Sequence, residues 1–163
     1  MGAETLQIIE MTREYAELIA TWRYDGEYSL YNESEENIDG LMNGMHYACT
    51  DARGELIGYF CFGEDARIST IEDDIYDGDF LDIGLGLRPS LCGKNLGLSF
   101  FIAGLEYARD VHGTCSFRLS VAAFNERAIK VYRRAGFCVE QEVTHSDTGT
   151  KFLIMKRKHS FLG

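Results

Sequence analysis

Apolar residues recur along this chain with two periods, and the change of period marks its elements. Residues 6–11 alternate and predict a first strand. Thr12 stands where a helix cap belongs, and Tyr15, Leu18, Ile19 and Trp22 follow at helical spacing. Residues 23–32, RYDGEYSLYN, are aromatic and irregular, and a short second helix is expected over about 33–42. Residues 47–50 and 56–63 read as strands flanking DARGE, a hairpin turn. An acidic connection over 64–78 is long enough to imply function or mobility.

The second half is more regular. Residues 80–87 form a strand, and Pro89, the only proline, ends it. A long helix is predicted from about Asn95 to Val111. Its face of Leu96, Phe100, Ala103 and Tyr107 is widened by Leu98, Phe101, Ile102 and Leu105, so it is mostly buried. His112-Gly113 ends it, with glycine available for a left-handed cap. Residues 117–122 are a strand, Asn125 caps a helix to about Ala135, and Gly136 stops that helix. Residues 137–144 and 151–156 make a last hairpin around SDTGT. The order β-α-α-β-β-β-α-β-α-β-β predicts an α/β protein of α+β type, with a mixed sheet and helices on both faces.

With 163 residues and 45% hydrophobic content, the expectation is one globular domain over 1–163, with no linker or repeat. No apolar run approaches the ~20 residues of a membrane-spanning helix. The start, MGAETLQIIEM, does not read as a signal peptide, and Leu6 breaks the myristoylation pattern. The expected location is the cytoplasm, where the sequon Asn32-Glu33-Ser34 has no meaning. Five scattered cysteines (Cys49, Cys61, Cys92, Cys115, Cys138) contain no CxxC pair, so reduced, buried thiols and no metal are expected. The four histidines (His46, His112, His145, His159) form no constellation. The net charge of −10 argues against nucleic acid as a partner and suits a cationic one. Acid concentrates in 64–82, where Glu64, Asp65, Glu72, Asp73, Asp74, Asp77, Asp79 and Asp82 face one base, Arg67.

Candidate chemistry lies in RPSLCGKNLG, residues 88–97, between a strand and a helix. Free amides and the helix dipole make such a junction an anion site. Gly93, Asn95 and Gly97 let backbone approach a ligand, asparagine being tolerant of positive φ, and Lys94 adds a cation. Two nucleotide motifs fail here. Gly93-Lys94 is followed by asparagine with no glycine five places earlier, and Gly84-x-Gly86 lies inside the strand with proline at 89.

Two segments, LDIGLGLRPSLCGKNLGLSFFIAGLEYA and LSVAAFNERAIKVYRRAGF, resemble the GNAT superfamily of acetyl-CoA-dependent N-acyltransferases. The first resembles that family's strand, pyrophosphate loop ([RQ]xxGx[GA]) and helix. The second matches N-x-x-A-x-x-x-Y-x-x-x-G-F at Asn125, Ala128, Tyr132, Gly136 and Phe137. Cys92 and Asn95 depart from the loop pattern at its Arg/Gln and first Gly positions, and Gly97 matches it. The resemblance implies a splayed, mostly antiparallel sheet of about six to seven strands and one acetyltransferase domain. It also implies transfer of acetyl from acetyl-CoA to a primary amine, either a cationic small molecule or a protein N-terminus, with no metal. A non-catalytic coenzyme-A-binding sensor or interaction domain of the same fold is the alternative. A homodimer is common in such folds.

Residue roles follow from the same resemblance. Backbone groups of Leu85 and Leu87 would pair with pantetheine, and an amide nearby would polarise the thioester carbonyl. Cys92, Gly93, Lys94, Asn95, Leu96 and Gly97 would cradle pyrophosphate. Asn125 would hold pantetheine, and Tyr132 would protonate the departing thiolate, a sensible match of acidities. An alkyl ammonium must lose a proton before it attacks. Some family members place a glutamate for this on the strand before the Asn-bearing helix, where this chain has Ser120; Asp82 is the next candidate, ahead of Glu64 and Asp79. The run Trp22, Tyr24, Tyr28, Tyr31 occupies the segment that forms one wall of the acceptor site, and aromatic walls bind cations. A cysteine nucleophile at Cys92 lacks a partner histidine.

Overall fold

A computed structural model of the protein describes residues 5–114 and 116–158, so Cys115 and His159 lie outside the described residues. The strands are β1 (Gln7–Glu10), β2 (His46–Thr50), β3 (Leu56–Phe62), β4 (Leu81–Leu87), β5 (Phe117–Ala122), β6 (Cys138–Thr144) and β7 (Lys151–Arg157). The α-helices are α1 (Arg13–Thr21), α2 (Ile38–Leu41), α3 (Gly97–His112) and α4 (Glu126–Arg134). The strands form one seven-stranded mixed sheet in the order β1-β2-β3-β4-β5-β7-β6. The register of β4 with β5 is parallel and comprises Leu81↔Phe117 and Asp82↔Arg118, whereas β1/β2, β2/β3, β5/β7 and β6/β7 pair antiparallel.

Local chemistry explains most boundaries. The Thr12 hydroxyl accepts from the Tyr15 amide at 3.1 Å and starts α1. The Asn125 side chain accepts from the Ala128 amide at 3.3 Å and starts α4. Asn95 has φ 61°, so it cannot begin α3, which starts at Gly97 rather than at residue 95. The expected second helix is broken into a 3-10 turn, Glu35–Asn37, and a single α-turn, Ile38–Leu41. Gly40, mid-segment, gives no helical preference to extend it. The aromatic stretch is a 3-10 helix over Gly26–Tyr31.

Contacts group into two compact units, each described by itself. The first comprises residues 1–61 and 85–103. Its core holds Met11, Ala16, Ile19, Leu41, Ala48 and Leu56, with Tyr15, Trp22, Ile38 and Tyr59 packed against them. Phe60 stacks on Phe100 at 4.5 Å, and Gly58 lies so close that a Cβ there would sit 2.5 Å from the Phe100 ring and 2.6 Å from the Gly86 carbonyl oxygen. The second unit comprises 62–84 and 104–163. Phe117, Leu119, Val121, Phe137, Val143, Phe152, Ile154 and Met155 are buried in it. The acidic connection is bound down there: Thr70 bridges His145, and the Ile71 amide bonds the Thr144 carbonyl at 2.9 Å. Glu72 accepts from the Thr144 amide at 2.8 Å, which, with a further backbone bond, holds its carboxyl below the usual glutamate value.

Cys49 and Cys61 are buried, and burial pushes the Cys49 thiol up to about 12. Cys138 corrects the expectation of burial: it is exposed at the start of β6. Among the described residues no helix is long and apolar enough to cross a membrane.

Candidate active site

In the first unit, β4 delivers the chain into the loop that the sequence singles out. Gly93 (φ 76°) and Asn95 (φ 61°) both adopt left-handed backbone, so the loop turns twice before entering α3. The first amide of α3 to bond a carbonyl is that of Phe100, to Leu96 at 3.0 Å; the amides of Gly97, Leu98 and Ser99 precede it. Such amides at the start of a sixteen-residue helix carry the positive end of its dipole. Gly93, Lys94 and Asn95 are exposed, and Cys92, Leu96 and Gly97 are half-buried. These residues fit a phosphate-bearing ligand, because small side chains, left-handed turns and amides left unbonded among the described residues coincide. The Cys92 thiol points back at the Leu87 and Arg88 carbonyls, at 3.8 and 3.6 Å. Where the resemblance puts the loop's Arg/Gln, this thiol offers no charge.

The aromatic wall is built in the same unit. The Tyr24 hydroxyl donates to the Leu87 carbonyl at 2.6 Å, fastening it to the end of β4. The Tyr24 amide donates to Asn32 Oδ1 at 2.7 Å, and Arg23 Nη1 donates to the Glu33 carbonyl at 3.1 Å, so the chain doubles back around the 3-10 helix. Tyr31 meets Tyr24 edge-on at 6.4 Å. Tyr59 lies 6.3 Å from Trp22 and 6.5 Å from His46. Tyr28 is half-buried on the 3-10 helix. Burial raises the Tyr24 hydroxyl well above the usual phenol value, aided by Cys92 and Glu33. Tyr59 is raised likewise by burial, then by Glu33, Tyr24 and Cys61.

Glu33 and Tyr59 are the two members of this cluster that sequence reading missed. Tyr59 is the one hydroxyl in the apolar run LIGYFCF, a signal that was available. Glu33 carried none, since only the fold brings it beside two tyrosines.

In the second unit, Asp82, the candidate base, lies buried near the start of β4. It is 2% exposed. Arg118 Nε reaches its Oδ1 at 2.6 Å, while Arg118 Nη2 and Arg67 Nε each reach its Oδ2 at 2.8 Å. Arg118 also donates to the Asp77 and Tyr76 carbonyls, so Asp82 helps to hold the acidic connection in place. Glu64 and Asp79 are exposed. Ser120 is hydrogen-bonded to the Tyr76 hydroxyl at 2.6 Å. Tyr132 is 8% exposed on α4, with Phe137 at 6.4 Å between ring centres. Asn125 spends its side-chain oxygen on the helix cap. Among the described residues no group of three or more His, Cys, Asp or Glu side chains is placed to hold a metal.

Comparison with known proteins bears on the fold and the family. No curated protein sequence matches the chain. Among solved structures, an acetyltransferase (GNAT family) from Bacillus anthracis superposes with a TM-score of 0.72 at 16% identity, covering 95% of both chains. A chimera of Vibrio cholerae spermidine N-acetyltransferase SpeG and hSSAT gives 0.69 at 16% identity, covering 94% of this chain and 95% of that one. The Vibrio cholerae spermidine N-acetyltransferase in complex with CoA and spermine gives 0.65 at 18%, covering 93% and 94%. At such identities these likenesses establish the fold. The profile of the acetyltransferase (GNAT) family matches residues 8–137, most of the sequence, and the chain therefore belongs to that family.

Proposed function

We propose that this protein is an N-acetyltransferase that moves acetyl from acetyl-CoA directly to a primary amine of a cationic small molecule. The observation that carries the reading is the loop of residues 92–97, doubly left-handed and ending in the first amides of α3, unbonded among the described residues. Acetyl-CoA supplies an activated acetyl group; the products are an amide and the free thiol.

The backbone of residues 92–97 would hold the pyrophosphate, with Lys94 at the rim. The short register of β4 with β5 supports reading Leu85 and Leu87 as the backbone that pairs with pantetheine. Asn125 would assist, and Tyr132 would hand its proton to the departing sulfur. Asp82 is assigned to holding Arg67 and Arg118 rather than to proton abstraction, because both of its oxygens are already bonded to guanidinium groups. The acidic chain and the aromatic wall of Tyr24, Tyr28 and Tyr31 favour a cationic acceptor. The spermidine acetyltransferases among the structural neighbours point the same way.

The test is calorimetric titration of acetyl-CoA into wild type and Gly97→Glu, followed by turnover with a panel of amines. Binding by wild type and its loss in the variant are expected, since a carboxylate among those amides repels pyrophosphate. Tyr132→Phe should lower kcat by about 10²–10⁴-fold. Binding without turnover of any amine would replace the enzyme with a coenzyme A sensor, and no binding would end both readings.

A further inference from the structure

The acidic connection before β4 lays one tyrosine, Tyr76, along β5. Arg118 Nη2 donates to the Tyr76 carbonyl at 3.0 Å, and Arg118 Nη1 donates to the Asp77 carbonyl at 2.7 Å. Two guanidinium groups lie over the Tyr76 ring, Arg118 at 5.1 Å and Arg67 at 5.3 Å from its centre. The Tyr76 hydroxyl oxygen accepts from the Ile68 amide at 3.0 Å and is hydrogen-bonded to Ser120 Oγ at 2.6 Å. The side chain is only half-buried, yet it is held at ring and hydroxyl, with its own carbonyl held as well.

These contacts end on Ser120. It shares a face of β5 with Arg118, two residues earlier. β5 stays paired with β7 at this point, Ser120 opposite Ile154, but its register with β4 ends at Asp82↔Arg118. Beyond Ser120, β5 leads into Asn125 and α4, which carries Tyr132. A serine hydroxyl can donate one hydrogen bond and accept two. Among the described residues the Ser120 hydroxyl has one side-chain partner, Tyr76, so it keeps room for an incoming N–H. Asp82, the candidate carboxylate, gives both oxygens to guanidinium groups.

We propose that Ser120 and Tyr76 form the proton exit of the acceptor site, two hydroxyls in series that carry a proton from the acceptor ammonium to solvent. This rests on the acetyltransferase reading above. The ammonium N–H passes its proton to Ser120 Oγ as the Ser120 proton moves to the Tyr76 oxygen and the Tyr76 proton moves to water. The freed lone pair forms the C–N bond at the thioester carbonyl, and the C–S bond breaks. Tyr132 protonates the sulfur, and the second proton lost by nitrogen restores Tyr132. Ser120 touches the amine; Tyr76 acts through Ser120, and the Ile68 amide and the two guanidinium groups position it.

The experiment measures kcat/KM against pH for ethylamine and 2,2,2-trifluoroethylamine in wild type, Tyr76→Phe, Ser120→Ala and Ser120→Thr. Fluorination leaves the second amine neutral at the assay pH, so it has no ammonium proton to lose before attack. Ser120→Ala and Tyr76→Phe should lower kcat/KM for ethylamine about 10²-fold or more near neutral pH, the scale of general acid–base help. That loss should shrink as pH rises towards the ammonium value and nearly vanish for the fluorinated amine. Ser120→Thr, which restores the hydroxyl, should recover most of the rate, and thermal unfolding should show each variant folded. Equal losses for both amines at every pH would make the pair structural and overturn the proposal, as would no loss for ethylamine. Wild type that acetylates neither amine, nor any amine of the wider panel, would end the acetyltransferase reading and the relay with it; active wild type with unaffected variants would end the relay alone.

Discussion

Arg118→Met tests the interior of the second unit. Arg118 is fully buried, and its guanidinium makes four bonds: 2.6 and 2.8 Å to Asp82, 2.7 Å to the Asp77 carbonyl and 3.0 Å to the Tyr76 carbonyl. Methionine replaces the stem and loses all four. Asp82, itself 2% exposed, then keeps only Arg67, whose side chain is 36% exposed. Deleting one partner of a buried ion pair costs about 3–5 kcal/mol, because the survivor stays buried and uncompensated. A chain of this size loses about 2–4 °C per kcal/mol, so the melting temperature should fall by roughly 6–20 °C. Thermal and urea unfolding followed by circular dichroism measure this. The double variant Asp82→Leu/Arg118→Met should recover part of the loss, since it removes the stranded charge too. A loss below about 1 kcal/mol, the scale of an exposed pair, would refute the argument. Asp82→Asn extends the test to chemistry. If Asp82 is an anchor, acetyl transfer per folded molecule persists below the transition. A fall of about 10²-fold or more in fully folded protein would make it the base after all.

Two further predictions concern other parts of the chain. Glu72 is an acid whose native value is lowered, so its contribution is fully present above the ordinary glutamate value of 4.5 and is lost as pH falls through the lowered one. Hydrogen-exchange protection of the Thr144 and Ile71 amides should drop over that acid range in wild type and be weak and pH-independent in Glu72→Gln; identical profiles would show that the carboxylate does not hold the connection. Gly58→Ala puts a methyl 2.5 Å from the Phe100 ring and 2.6 Å from the Gly86 carbonyl oxygen, where backbone cannot yield cheaply. Overpacking of this kind costs about 1–3 kcal/mol, and unchanged urea unfolding would contradict the close approach.

Local sequence determined what local physics controls. The periods gave seven strands and their order; Thr12 and Asn125 announced helix starts that their side-chain bonds make. Asn95 was readable as a left-handed residue, because few other side chains tolerate that region, and its φ is 61°. The same residue displaced the start of α3 to Gly97, a consequence that helical periodicity does not register.

Tertiary structure decided which charges meet. Asp82 and Arg118 are 36 residues apart, and nothing in their neighbours distinguishes a buried pair from two surface charges. Their partnership arises because β4 and β5 lie parallel in register, Asp82 opposite Arg118. Glu33 is likewise one acid among many in an acidic sequence, and its bond to Asn37 and the approach of Arg23 to its carbonyl appear only when the chain folds back past Tyr24. Caps, turns and periodicity are interactions over a few residues, so sequence carries them. Burial and charge compensation depend on residues far apart in the chain, so only the assembled fold assigns them.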